Sequence, residues 1–117
     1  MVVKATPIPI GIRQRVFERD AFCCLYCKSG QSGLEIHHRQ GRLARRGQDP
    51  HRMSGLVLLC PSCHLTATTN PEWAYQLGLS VRRVGLDETD EIPFADCYGM
   101  LWRRNDAGDR FRIMGSA

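Results

Sequence analysis

The 117-residue sequence predicts a small α+β domain, and three observations predict it. Two Cys-x-x-Cys pairs, Cys24 with Cys27 and Cys60 with Cys63, stand on either side of a His37-His38 step. Two short apolar runs, residues 34–38 and 56–59, have strand length and flank a polar loop. A proline-initiated helical stretch follows the second run directly. The order strand, loop, strand, helix is a ββα unit, with one cysteine pair before it and the other at its helix.

Taken in order, residues 1–9 read as a flexible tail broken by Pro7 and Pro9. Residues 10–20 carry Ile12 and Val16 among Arg13, Arg15, Glu18 and Arg19, the pattern of a short amphipathic helix. Residues 22–33 hold the first cysteine pair and end in a Ser-Gly-Gln-Ser-Gly turn. The strand at 34–38 delivers His37 and His38. Residues 39–55 are a loop rich in arginine and glycine, with His51 expected to be solvated. The strand at 56–59 leads into a helix from Pro61 to about Thr69, and Asn70-Pro71 opens a second helix that Gly78 stops. Residues 79–84 read as a strand and 85–96 as an acidic loop. Residues 99–104 and 110–114 pair as a hairpin across Asn-Asp-Ala-Gly-Asp, with Trp102 and Phe111 in its core. Trp73, Tyr75 and Leu77 are expected to pack the second helix. The organisation is thus a tail at 1–9, a core at 10–77 and an extension at 78–117.

A chain of this size has a modest core and gains from a structural metal. Four thiols in two knuckle-like pairs suit tetrahedral zinc, and the x-x spacing favours a metal over disulfides. Cys24 gives the spacing to Cys27, although its neighbour Cys23 is an alternative ligand; Cys97 is expected to pack as a small buried hydrophobe. Four thiolates fill a zinc site, which leaves His37, His38 and His64 for other work. No apolar run is long enough to span a membrane, and the first ten residues lack the pattern of a secretory signal, so the expected location is the cytoplasm. The net charge is +4, and of sixteen basic residues only Lys4 and Lys28 are lysines. Arginine binds phosphate bidentately, which fits a nucleic-acid partner.

At Cys24-x-x-Cys27, Leu34-Glu-Ile-His37-His38, Leu56-Val-Leu-Leu-Cys60 and Cys60-x-x-Cys63-His64 the chain resembles small, four-cysteine HNH endonucleases of bacteria and tailed bacteriophages. The stretch from Asn70 to Gly78 is also similar to the tail of such proteins from actinobacterial phages. The resemblance implies a ββα-metal (His-Me finger) core and hydrolysis of DNA phosphodiester bonds. It implies that His38 is the general base, and that His37 and His64 ligate a catalytic Mg²⁺ or Mn²⁺. Cys24, Cys27, Cys60 and Cys63 would hold structural zinc. Arg39, Arg42, Arg45, Arg46 and Arg52 would lie along DNA, and the phage packaging terminase enters as a partner. Physical chemistry supports the division of labour. Adjacent strand residues face opposite sides, and imidazole titrates near neutrality.

The sequence departs from the family at two positions. Gly55 stands where an asparagine usually ties the loop down, and Thr68 stands where many relatives carry another histidine. The competing reading is therefore a catalytically idle zinc-ribbon module that binds DNA or protein. Plainer readings of single residues also stand: His37 and His38 as packing residues, His64 as a support or alternative ligand for zinc, and the loop arginines as a solvated surface. A thiol redox protein would need a βαβ context that the pattern lacks.

Overall fold

A computed structural model of the chain describes residues 7–30, 32–40, 51–82, 89 and 91–113. Arg42, Arg45 and Arg46, residues 1–6 of the expected tail and residues 83–84 of the expected strand lie outside these. The described elements are α1 (Ile10–Arg19), β1 (Glu35–His38), β2 (Leu56–Leu59), α2 (Pro61–Thr69), α3 (Pro71–Leu77), β3 (Phe94–Ala95), β4 (Leu101–Arg104) and β5 (Arg110–Ile113). A single 3₁₀ turn, Met53–Gly55, leads into β2. The fold is α+β, with the ββα unit formed by β1, β2 and α2.

β1 and β2 pair antiparallel, with His37 opposite Val57 and His38 opposite Leu56. All four residues of β2 are buried because the ribbon is covered on both faces. Ile36, Leu56 and Leu58 pack with Val16 of α1 and with Met53. Val57 and Leu59 pack with Cys24, Leu25 and Cys60 of the cysteine knuckles and with Ala67 and Ala74 of the two later helices. Strand alternation therefore sends His38 towards the α1 side and His37 towards the α2 side.

Asp20, just past α1, ties three layers together. Its carboxylate accepts the Leu58 N–H at 3.0 Å and pairs with Arg19 at 2.9 Å and with Arg104 of β4. Burial alone would raise its pKa, but Arg104 and Arg19 outweigh burial and hold it below the usual carboxylate value. The Arg19 guanidinium donates to the carbonyls of Met53, at 2.6 Å, and Leu56.

Four expectations change. Residues 79–82 form no strand: Gly78 takes a left-handed φ of 76°, and the Ser80 N–H returns to the Ala74 carbonyl at 3.1 Å. The apolar spacing of Leu79 and Val81 reflects burial of a hooked segment, not a sheet. The hairpin gains a third strand, since Phe94 pairs with Trp102 and Ala95 with Leu101. Cys97 is exposed instead of buried, and Phe111 is 43% exposed, so neither is core. Trp102 does pack against the main core, as do Trp73 and Leu77.

Candidate functional site

The four sulfurs of Cys24, Cys27, Cys60 and Cys63 lie within 4.8 Å of one another. The Cys27 and Cys60 sulfurs are 3.8 Å apart, close to the ~3.8 Å edge of a tetrahedron with 2.3 Å zinc–sulfur bonds. Cys24 sits in a tight turn whose Lys28 N–H donates to its carbonyl at 3.0 Å. Cys60 caps α2, its sulfur accepting the Cys63 N–H at 3.4 Å. Burial and neighbouring thiols push the Cys27 and Cys63 thiols up. Burial acts on Cys60 in the same sense, but hydrogen bonds from Cys63 and the other thiols outweigh it and bring Cys60 down. Packing four such groups together suits a divalent cation, which would hold them as thiolates. The cluster fits zinc, and it leaves out Cys23 and His64.

Beside β1 opens a groove of about 480 Å³ lined by Ile8, Arg13, Leu34, Glu35, Ile36, His37, His38 and His64. It brings together the three histidines singled out from sequence. His37, from β1, and His64, from the first turn of α2, have ring centroids 5.3 Å apart. Burial, aided by His64, lowers the His37 pKa from 6.5 to about 4, although a hydrogen bond to the Leu79 backbone opposes this. His37 is therefore neutral at physiological pH, the form a metal ligand needs. Its Nε2 lies 3.2 Å from the Ser80 hydroxyl. The His64 Nδ1 lies 3.2 Å from a Glu35 carboxylate oxygen, a contact that orients the ring and leaves Nε2 available. The donor set of two imidazoles with a carboxylate beside them, open to water, fits a loosely held divalent cation. The Thr68 hydroxyl donates to the His64 carbonyl at 2.9 Å, so it serves the helix backbone and not this groove.

Two of the expected DNA-facing arginines are otherwise engaged. Arg39 is only 1% exposed. Its guanidinium donates to the carbonyls of Gly78 at 3.0 Å, Ser54 at 2.9 Å, Thr89 at 2.8 Å and Ile92 at 2.6 Å. A side chain so placed cannot reach a phosphate. Arg52 is half-buried and bonds Asp106 in the β4–β5 turn at 2.9 Å. Asp106 also accepts the Ser54 N–H at 3.1 Å. The Ser54 hydroxyl bonds Thr89 at 2.6 Å, and the Arg39 N–H donates to the Gly55 carbonyl at 2.8 Å. Together these bonds tie down the Met53–Gly55 turn.

Sequence reasoning missed two groove residues and one beside the groove. Arg13 places a cation in the lining, Glu35 supports His64, and Ser80 meets His37. Only Glu35, two residues before His37 on the same strand face, carried a readable signal. His51 was also misjudged. It is 5% exposed, not solvated, and its Nδ1 lies 3.2 Å from Nε2 of His38.

Compared with known proteins, residues 24–70 match the model of the HNH endonuclease family. The match takes in both cysteine pairs, β1, β2, α2 and all four histidines. No curated protein and no solved structure matches the chain. The matched segment, together with the four-cysteine cluster, fits a small zinc-containing HNH protein.

Proposed function

Starting from an HNH endonuclease segment at residues 24–70 that carries a four-cysteine metal site, we propose that the protein is a metal-dependent endonuclease hydrolysing DNA phosphodiester bonds. The observation that carries this reading is the convergence of His37, His38 and His64 on one open groove. A zinc module that only binds has no use for that arrangement, because its zinc is already satisfied by sulfur.

His38 acts as the general base, taking a proton from the attacking water through its imidazole. His37 and His64 hold Mg²⁺ or Mn²⁺, and Glu35 keeps the His64 ring in place. The cation, when bound, supplies Lewis-acid stabilisation of the phosphorane and of the leaving 3′ oxygen. Arg13 faces the non-bridging phosphate oxygens, and Arg42, Arg45 and Arg46 extend the contact along the backbone. Such contacts are to phosphate and sugar, which favours low sequence specificity, and departure of the 3′ oxygen leaves a 5′ phosphate.

Nicking of supercoiled plasmid by the zinc-loaded protein, with Mg²⁺, Mn²⁺ or EDTA and beside His38→Ala, tests the reading. Divalent-dependent nicking that falls by about 10²- to 10⁴-fold in the variant is expected. A folded wild type that leaves plasmid intact with every metal would sink the endonuclease reading in favour of a binding module.

A further inference from the structure

We propose that the β4–β5 hairpin is a second DNA contact: Arg110, with Arg112 beside it, holds the phosphate backbone at a hollow next to the cysteine knuckle. The inference rests on the endonuclease reading above for its partner. The hairpin lies outside the family-matched residues 24–70, so that match assigns it no role.

The hollow, of about 230 Å³, has Asp20, Cys23, Leu25, Lys28, Trp102 and Arg110 in its lining. The hairpin register sets Arg110 opposite Arg104 and Arg112 opposite Trp102, so the two exposed arginines share one sheet face with the indole. The Arg110 guanidinium lies 5.5 Å and the Lys28 ammonium 5.2 Å from the Trp102 ring centroid. The indole N–H donates to Asp96 at 3.1 Å, which fixes the ring as a seat for both cations.

Charge decides the partner. Lys28 is neutralised by Asp96, 3.2 Å away. In the hairpin turn, Asp106 pairs with Arg52 at 2.8 Å, and Asp109 accepts from the Asn105 amide at 3.1 Å. Asp20 shares its single charge between Arg19 and Arg104, so this buried trio is net positive. Arg110 and Arg112 bond no carboxylate among the described residues. Burial lowers the Arg104 pKa to about 10; Asp20 opposes this, and Arg19 and Arg110 add to it by repulsion. Arg104 stays charged at neutral pH, and an anion at Arg110 relieves the repulsion. Two exposed guanidiniums over a positive interior fit a polyanion.

α1 links this face to the histidine groove. Its Arg13 lines the groove, Asp20 just past its end lines the hollow, and Arg15 donates to the Ala107 carbonyl of the hairpin turn at 2.7 Å. From Arg13 to Asp20 the helix rises about 10 Å, and a duplex carries one phosphate charge per ~1.7 Å of axis. One duplex therefore reaches both.

Anisotropy of a labelled DNA duplex, titrated with zinc-loaded protein without Mg²⁺ or Mn²⁺ at several salt concentrations, tests this beside the pair Arg110→Gln/Arg112→Gln. The pair should bind about tenfold or more weakly on every duplex sequence, with a salt slope shallower by about 1 to 2. Arg110→Lys/Arg112→Lys should recover the slope. Should the Gln pair fail to fold, Arg112→Gln alone should make the slope shallower by about 1. In plasmid nicking the Gln pair should raise KM and leave kcat unchanged. A folded Gln pair with wild-type affinity and slope overturns the proposal, while a wild type that still nicks keeps the endonuclease reading. A shallower slope in the pair, with a wild type that never nicks, removes the endonuclease reading and keeps the hairpin contact. Polyglutamate binding that the pair loses, with duplex binding unchanged, would overturn the proposal and give this face to an acidic protein.

Discussion

Arg39 and His51 both come from a polar, arginine-rich stretch, and both are buried. The carbonyls that receive Arg39 belong to Ser54, Gly78, Thr89 and Ile92, none of them its sequence neighbours. A planar guanidinium with five donors is well suited to gather such carbonyls. Arg39→Ala would leave them unpaired in buried surroundings, each at about 1–3 kcal/mol. A loss of at least ~3 kcal/mol is expected, read as a large fall in melting temperature. A variant with unchanged melting temperature but weaker DNA binding would return Arg39 to the phosphate-contact role expected from its sequence position. The residue types of the cysteine cluster and of the histidine groove were legible, because Cys-x-x-Cys spacing and a His-His strand step constrain geometry locally. Arginine carries no such constraint, since the same side chain serves phosphate or backbone.

Elements with a local cause were legible, and those with a tertiary cause were not. Proline at the first turn sets both α2 and α3, and their boundaries fall where the sequence places them. α1 and the two strands of the ββα unit follow apolar periodicity. β3, at two residues, is too short to show a period and exists only because β4 lies beside it. The segment after α3 had the alternation of a strand, but Gly78 diverts it. A side chain at Gly78 would combine a left-handed φ with a Cβ only 2.0 Å from the Pro93 carbonyl oxygen. Since left-handed backbone alone costs roughly 1–2 kcal/mol for other residues, Gly78→Ala should destabilise the fold by more than ~2 kcal/mol. Urea unfolding checks this. A midpoint equal to wild type would mean that the α3–β3 junction is loose enough to open, contrary to its buried contacts.

At the scale of the molecule, the cysteine cluster joins both halves of the structure. Cys24 and Cys60 belong to the same buried cluster as Val57, Leu59, Ala74 and Phe94. The knuckle also meets the three-stranded sheet through Lys28 and Asp96, 3.2 Å apart, and through the Cys97 N–H to the Tyr26 carbonyl at 2.9 Å. Removal of zinc by a chelator at neutral pH should therefore unfold the whole domain in one transition, not the knuckle alone. Both tryptophans report it, because Trp73 packs edge-on against Tyr26 at 5.1 Å and Trp102 lies 5.2 Å from the Lys28 ammonium. Fluorescence that changes while helical circular dichroism persists would show that the ββα core stands without metal.

Acid acts on the same structure through His37 and Asp20. His37 titrates at about 4 in the fold against 6.5 when free, so between those values the unfolded chain binds the extra proton. Its contribution to stability is complete above pH 6.5 and is lost as pH falls to about 4. Asp20, held below 3.8, contributes fully above that value and is lost only as pH falls further, through its folded pKa. Protons also compete with zinc for the thiolates, so the wild-type slope alone does not isolate His37. Comparison with His37→Gln does. The difference in melting temperature between the two proteins should change between pH 6.5 and 4 and become constant above pH 7. A difference that stays constant across that range would mean that His37 titrates normally. A neutral imidazole at the groove would then owe nothing to burial.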